Sequence, residues 1–513
     1  MHIIFREKQS IEEAEMPIDL DQTPSDIVFL SFSDSDLNAF ASGWKRAFKY
    51  SKGNFPSLRL ANLQNLKHPL SVDTYIEKTL SKSKAVIIRV IGGVPYWEYG
   101  LNQVKSIAEK KNIALAVLPA DGRDDKKLSG YSNIPDSTLK ILNNLCNTGG
   151  VVAAHSALSQ IAITAGIYSS IVVGDKYIPT FGYWSPKEGV FKEISKFKLT
   201  KKHTVLIIFY KSFITSDDLN PILTLREEIQ KNNFDALSCF LPSLKEPESS
   251  KWIQDVIKKV KPSAIVNATS FSSKGADGLS PLDVGDVPVF QISLSTNNRS
   301  LWKKEDKGLS PTDMVMHVAL PEIDGRLFAG VASFKEKYKK DKFLEFTQIK
   351  HKADKERITS IVKKIKGWIR LQKIKNSKKK ISFILSTYPG KPWLMGHAVG
   401  LDVFESVEAI LKDLKIYKNK NKINFVQELN TKTINLSIYK YKKYFSTINK
   451  KLLDKVNKTW GDPEKDINFK NNKFTFKAFF LKNCLIALQP ERGDFSDREN
   501  QYHDLDMVPK HSY

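Results

Sequence analysis

Along this chain, short and nearly unbroken apolar runs alternate with stretches whose apolar residues recur every three or four positions. Ile-Val-Phe-Leu-Ser after Asp26 predicts a buried strand, and Asp36–Phe48 predicts a helix with Leu37, Phe40, Trp44 and Phe48 near one face. A helix over Ser71–Leu80, a strand over Ala85–Ile91, a helix over Leu101–Lys111 and a strand over Ile113–Leu118 follow. The rhythm pauses between about Asn133 and Lys201, where helical turns and a Gly/Pro-rich stretch intervene. It resumes with strands over Thr204–Tyr210, Ala236–Phe240, Ala264–Ala268 and Val287–Ile292. Helices over Ser216–Lys231 and Ser249–Val260 separate the first three, and a short helix is expected over Ser310–Val318. A charged, hinge-like stretch, Lys335–Lys355, leads to a helix near Glu356–Lys373. Lys380 opens a third region, with strand Ile381–Ser386 and helix Val403–Leu414 behind a capping box of Asp402 and Glu405.

Strands that are apolar on both faces and alternate with helices predict parallel sheets covered on both sides. The expected fold class is α/β, with two or three doubly wound parallel-sheet (Rossmann-like) units in series and helical connectors. The boundaries expected are an N-terminal α/β domain over 1–132, a helical or irregular connector over 133–201, and a second α/β domain over 202–334. A charged helical linker over 335–379 and the start of a third, truncated α/β region over 380–513 complete the series. No fixed-period repeat interrupts it.

A length of 513 residues exceeds one ordinary domain, and 41% hydrophobic residues suffice for sizeable cores, which excludes a mostly disordered chain. Apolar runs stop far short of the ~20 residues of a membrane span, and the N-terminus lacks a secretory signal pattern. Cys146, Cys239 and Cys484 are odd in number and far apart, so core thiols are expected rather than disulfides or a zinc ribbon. A cytoplasmic protein with no membrane partner is the expectation. The formal charge of +24 suggests nucleic acid at first sight, yet 68 of the 80 basic residues are Lys and only 12 are Arg. Solvated lysine-rich faces explain the charge better, and it favours an acidic ligand or partner over nucleic acid.

Ligands in such folds sit at the carboxyl ends of strands. Arg89-Val-Ile-Gly-Gly-Val-Pro-Tyr-Trp-Glu-Tyr99 leaves its strand through Gly92 and Gly93 and then presents three aromatics. These either stack on a flat ligand or plug their own domain. Tyr388-Pro-Gly-Lys-Pro-Trp-Leu-Met-Gly-His397 offers Lys391, Trp393 and His397. The C-terminal segment offers Arg492, Tyr502, His503, Asp504, Asp506 and His511, an N/O donor set for a borderline divalent ion or simply a polar tail. Neither G-x-x-x-x-G-K-[ST] nor H-E-x-x-H occurs.

Several longer words carry a resemblance. Gln22-Thr-Pro-Ser-Asp-Ile-Val-Phe-Leu-Ser31, Pro56-Ser-Leu-Arg-Leu-Ala-Asn-Leu63, Leu66-Lys-His-Pro-Leu-Ser-Val-Asp-Thr-Tyr75 and Ile91-Gly-Gly-Val-Pro-Tyr-Trp97 resemble the large subunit of aerobic cobaltochelatase, the CobN family. So do Gly308-Leu-Ser-Pro-Thr-Asp313, Met316-His-Val-Ala-Leu-Pro-Glu-Ile-Asp-Gly-Arg326 and Tyr502-His-Asp-Leu-Asp506, in order to the end of the chain. The magnesium chelatase large subunit is similar mainly in the later segments.

The resemblance implies insertion of Co2+ into hydrogenobyrinic acid a,c-diamide during aerobic cobalamin synthesis. It also implies ATP and Mg2+ used through two smaller subunits that form an AAA+ motor. The residues expected to meet the substrate are Arg89, Gly92, Gly93, Trp97, Lys391, Trp393, Arg492 and Tyr502. Those expected to meet the metal are His397, His503, Asp504 and His511. Family members are more than twice as long and carry a downstream His-Gly-Thr-like segment absent here, so the chain alone is expected to be catalytically silent. A magnesium chelatase-type subunit acting on a porphyrin, or a non-catalytic tetrapyrrole-binding scaffold, is the alternative.

Overall fold

Four buried runs build the first sheet: β1 (Ile27–Ser31), β2 (Leu58–Asn62), β3 (Ala85–Val90) and β4 (Ala114–Pro119). They lie parallel in the order β2-β1-β3-β4. This computed structural model describes residues 16–513 except 121–124, 172–176, 198–199, 276–277, 305–307, 387–394, 397–399, 418–422, 495–500, 502–503 and 505. Alternate side chains point to opposite faces, as the pleat requires. Ile27, Phe29 and Ile87 pack beneath helices Asp34–Tyr50 and Gly150–Thr164. Val28, Leu30, Val86 and Ile88 meet helices Pro69–Lys78 and Glu98–Lys111 on the other side. The sheet is thus doubly wound.

The second sheet has eight strands in the order β12-β11-β10-β9-β7-β8-β5-β6. They are β5 (Gly182–Ser185), β6 (Gly189–Phe191), β7 (Thr204–Tyr210), β8 (Asp235–Leu241), β9 (Ala264–Asn267), β10 (Val289–Ser295), β11 (Leu327–Lys337) and β12 (Ile349–Ala353). Strands β8-β7-β9-β10-β11 are parallel, whereas the β5/β6 hairpin and β12 join antiparallel at the two edges. The strand order reverses between β7 and β9, which makes the carboxyl ends of these two strands the switch point of the sheet. Helix Lys355–Lys373 covers one face through Ile358, Ile361, Val362, Ile365 and Ile369, packed on Phe290, Ile292 and Ala332.

Residues 335–355 differ from the hinge-like stretch expected of so many lysines. They form the tail of β11, a tight turn and β12, and the turn is fastened to the first sheet. Arg59 Nη2 pairs with Glu345 at 2.9 Å, Thr23 N and Oγ1 each donate to Glu345 at 2.7 Å, and Lys45 meets Asp341 at 2.9 Å. Burial alone would raise the Glu345 pKa, but the Thr23 hydrogen bonds and Arg59 hold it below its ordinary value.

The chain divides into two compact units, Met1–Ile369 and Arg370–Tyr513. The second contains β13 (Ile381–Leu385), β14 (Thr433–Ser437), β15 (Phe469–Lys470), β16 (Lys473–Leu481) and β17 (Cys484–Leu488). Its sheet runs β13-β17-β16-β14, with β15 also on β16, and only the β13/β17 pair is parallel. Helices Val403–Asp413 and Phe425–Thr431 bury Val407, Leu411, Phe425 and Leu429 against Phe479 and Ile486. Asp402 accepts from Glu405 N at 2.9 Å as the N-cap of the first of these helices. All three cysteines are buried free thiols, and burial pushes the Cys146 thiol up to about 12. Among the described residues no helix is long and apolar enough to cross a membrane.

Candidate functional site

Arg89 occupies the carboxyl end of β3 and is almost wholly buried. Its Nη1 donates to Asp36 Oδ2 at 2.8 Å, while Nη2 donates to Asn147 Oδ1 at 2.9 Å and more weakly to the Pro119 carbonyl at 3.4 Å. Asp36 also accepts from Ser31 Oγ at 3.0 Å. The guanidinium therefore ties β3 to the end of β4 and to two helices, which makes Arg89 a brace. Gly92 and Gly93 follow with φ of 81° and 82°, a backbone region costly for any side chain. At Gly92 a Cβ would also stand 2.3 Å from the Tyr96 ring.

Trp97, expected to stack on a ligand, is 5% exposed and donates from Nε1 to the Leu66 carbonyl at 2.7 Å. It packs in the core beneath the loop because its indole finds both apolar neighbours and a backbone acceptor there. Tyr96 is the aromatic of this loop that faces solvent most. Arg89, Gly92, Gly93 and Trp97 thus share one strand exit, where the two glycines set the backbone and the other two side chains are structural.

In the second unit, Arg492 Nη2 donates to the carbonyls of Asp504 and Met507 at 2.9 Å each, and its own carbonyl accepts from Lys510 N. It thereby folds the C-terminal segment on itself. Asp504 is exposed and accepts from Asp506 N at 2.8 Å. His511 is buried, with Nε2 2.8 Å from the Gly461 carbonyl and Nδ1 2.7 Å from the Tyr441 hydroxyl. A carbonyl only accepts, so Nε2 carries the proton and Nδ1 accepts from Tyr441. Both nitrogens of His511, which was expected to meet the metal, are within hydrogen-bond distance of protein oxygens. Lys391, Trp393, His397, Tyr502 and His503 lie outside the described residues. Among the described residues no cluster of three or more His, Cys, Asp or Glu is arranged to hold a metal ion.

A denser group of polar side chains lies at the carboxyl ends of β7, β9, β10 and β11. Phe290, Ile292 and Leu294 of β10 enter the core, while Gln291, Ser293 and Ser295 between them are fully buried on the opposite face. Asn267 Nδ2 donates to Gln291 Oε1 at 2.8 Å, and Gln291 Nε2 donates to the Thr269 carbonyl at 2.7 Å. The β10/β11 register slips at Gln291/Ile292 and again at Ser293/Leu294. Facing these slips, the expected helix Ser310–Val318 is instead a turn of helix (Pro311–Met314), a π-turn (Val315–Ala319) and another short turn (Leu320–Ile323). Both irregularities concentrate near functional sites.

Asp313 is fully buried and accepts from Ser295 Oγ, Thr296 N and Thr296 Oγ1 at 2.9–3.0 Å. His317, on the π-turn, has Nδ1 3.1 Å from Ser293 Oγ and 3.7 Å from Asp313 Oδ1. Nearby, Asp324 accepts from Ser272 Oγ at 2.8 Å and from Ser273 N and Oγ at 2.5 and 2.9 Å. Burial alone would raise the Asp324 pKa, but these bonds and the Arg326 charge lower it. On the β12 side, His351 Nδ1 is 3.2 Å from Ser333 Oγ, and its backbone N–H donates to Asp218 Oδ1 at 2.9 Å. Burial, with smaller contributions from Lys335 and His317, lowers the His351 pKa to about 3. Burial likewise raises Asp218 to about 6.

None of Asp218, Gln291, Asp313, His317 or His351 was a candidate from the sequence. Two signals were present: polar residues at every second position of an otherwise core strand, and the 308–326 words of the resemblance, which include Asp313 and His317. This cluster orients one buried imidazole beside one buried carboxylate, an arrangement suited to fixing a tautomer and holding a proton.

A family model described as CobN/Magnesium Chelatase matches residues 161–513. The chain is similar to an aerobic cobaltochelatase subunit CobN from Sinorhizobium sp, 28% identical over 552 residues that cover 100% of this chain and 42% of the relative. The subunit of the same name from Pseudomonas aeruginosa is also 28% identical, with 96% of this chain and 41% of the relative covered. A solved catalytic subunit of cobaltochelatase from Mycobacterium tuberculosis has the same fold, with a TM-score of 0.70 at 23% identity over 95% of this chain and 40% of that one. The chain therefore spans about two fifths of the length of the relatives it matches.

Proposed function

Because the chain belongs to the CobN/magnesium chelatase family, we propose that it forms the first part of the large, corrinoid- and metal-binding subunit of a cytoplasmic, ATP-dependent cobaltochelatase. Its substrates are Co2+ and hydrogenobyrinic acid a,c-diamide, and two smaller subunits supply the AAA+ motor that hydrolyses ATP with Mg2+. The observation that carries this reading is that likeness to CobN runs through the whole chain, the first lobe included.

The chemistry asks for three things of such a subunit. Inner N–H protons must leave the ring as cobalt sheds water, the metal needs N or O donors on its way in, and the macrocycle needs a wall to lie against. The buried Asp313–His317 pair beside the switch point supports the first, as a group able to take or pass a proton. Lys391, Trp393 and Tyr502 are proposed to meet the ring, and the Gly92-Gly93 loop is a separate candidate for it. His397, His503 and Asp504 are proposed to meet the metal.

The test offers Co2+ with the corrinoid, and Mg2+ with a porphyrin, to this chain assembled with the motor subunits. The length of a CobN-type large subunit beyond the two fifths that this chain spans is supplied in trans or left out. Expected is ATP-dependent appearance of the cobalt corrinoid spectrum only when that length is supplied. Turnover by the chain and motor alone would overturn the claim that it is silent by itself. Magnesium porphyrin as the product would favour the magnesium branch of the family, and ring binding without turnover a scaffold.

A further inference from the structure

We propose that the outer edge of β13 and the apolar sheet face beside it dock a stretch of polypeptide from the part of a CobN-type large subunit that this chain does not match; this rests on the chelatase reading above. β13 ends the sheet β13-β17-β16-β14, and among the described residues no strand pairs with its outer side. Parallel pairs such as β13/β17 belong to sheets covered on both faces. β1, in the first sheet, is buried at every position, whereas β13 is buried only at Leu385. Its sequence, Ile-Ser-Phe-Ile-Leu, holds neither the charge nor the proline that blunts a true edge strand.

Strand register fixes which side chains share the open face. Ser382, Leu485 and Phe480 form one row across β13, β17 and β16, and Ile384, Ala487 and Ala478 form the next but one. The row between them, Phe383, Ile486 and Phe479, turns the other way, into the core under helices Val403–Asp413 and Phe425–Thr431. On the open face Ile384 is 55% and Phe480 65% exposed, and neither they nor the half-buried Leu485 join the apolar cluster of this unit. Farther along the same face of β16, Phe474 is fully buried, with the Tyr441 ring 4.8 Å away. The cover therefore stops short of β13. The row of backbone N–H and C=O groups along an edge finds its full set of partners in another strand, so a polypeptide fits it and a small ring does not. Ile384 and Phe480 ask that polypeptide for an apolar stretch. CobN relatives have such chain to give, since only 42% and 41% of their length is matched here.

The experiment mixes the 513-residue chain with the unmatched part of the Sinorhizobium CobN, produced as a separate polypeptide. Sedimentation velocity reads complex formation, amide exchange reads residues 381–385, and absorbance reads hydrogenobyrinic acid a,c-diamide added to the mixture. Expected are a one-to-one complex and slowed exchange over 381–385. Ile384→Lys and Phe480→Lys, both at exposed positions, are expected to melt within about 2 °C of the wild type and to weaken the complex about tenfold or more. A complex that both variants retain within about twofold overturns this inference alone. So does a wild type that pairs with a second copy of itself through these residues, or one that binds the corrinoid without the added polypeptide joining it. A wild type that binds neither polypeptide nor corrinoid overturns the chelatase reading and this inference with it.

Discussion

Arg89→Met is expected to weaken the fold far more than it weakens any ligand. The guanidinium is buried, whereas its partner Asp36 keeps about a fifth of its side chain accessible (20%). Removing one member of a buried ion pair costs ~3–5 kcal/mol when the charge left behind stays dry. Asp36 can recruit water and keeps its bond from Ser31, which places the loss near the lower end of that range. Asn147 also loses its partner, adding ~0.5–1 kcal/mol. Methionine refills most of the stem's volume, so no large cavity adds to this. The expected loss is ~3–4 kcal/mol, seen as a fall of roughly 4–5 °C in the melting transition of the first unit. Differential scanning fluorimetry without any tetrapyrrole measures it, and a ring titration of the folded variant provides the second reading. A melting temperature within ~1 °C of the wild type, together with ring affinity reduced tenfold or more, would show that Arg89 serves the ligand and that the bracing argument is mistaken.

Acid stability should be governed by two opposed groups. His351, held near 3 when folded, contributes stability that is present above its ordinary value of 6.5 and lost as pH falls from there towards 3; His351→Gln should flatten that acid limb, by up to ~4 kcal/mol near pH 3. Asp218, held near 6, acts the other way, its contribution being complete below 3.8 and lost as pH rises through 6. Asp218→Asn should therefore stabilise the protein at pH 7, by at most ~3 kcal/mol, and steepen the loss between pH 6 and 4; urea titrations across this range that show no change in slope would contradict both assignments. Glu345→Ala strips the turn at 338–349 of its bonds to Thr23 and leaves Arg59 without its buried counter-charge, so limited proteolysis should cut this turn many times faster than in the wild type. His511→Ala should destabilise the second unit by ~1–3 kcal/mol and leave Co2+ affinity unchanged; the reverse outcome in a Co2+ titration would return His511 to the metal.

The elements legible in the sequence were those whose cause is local. β1, β3 and β7 are apolar at nearly every position because both faces of a parallel sheet are covered, and that pattern survives in one dimension. Helix Lys355–Lys373 was legible from its isoleucine spacing, and the cap at Asp402 from its distance to Glu405. β2 escaped because Arg59 interrupts its apolar run, and the reason a charge is tolerated there is Glu345, 286 residues away. Residues 335–355 read as a hinge for the same reason, since their lysines and carboxylates reveal nothing of the sheet they grip.

At the candidate sites the divide is sharper. Gly92 and Gly93 were identifiable because positive φ is a property of the residue itself. Trp97, Arg89 and His511 had the right chemistry for a site, and only their partners in space turned them into a core indole, a brace and a bonded imidazole. Asp313 and His317 meet Ser293 and Ser295 because two slips of strand register and one π-turn bring them together. Composition and periodicity by themselves determined an α/β chain of parallel sheets with family words spread along it. Which polar residues share a buried strand exit was decided by the tertiary structure, because burial, pairing and backbone strain depend on neighbours that lie far apart along the chain.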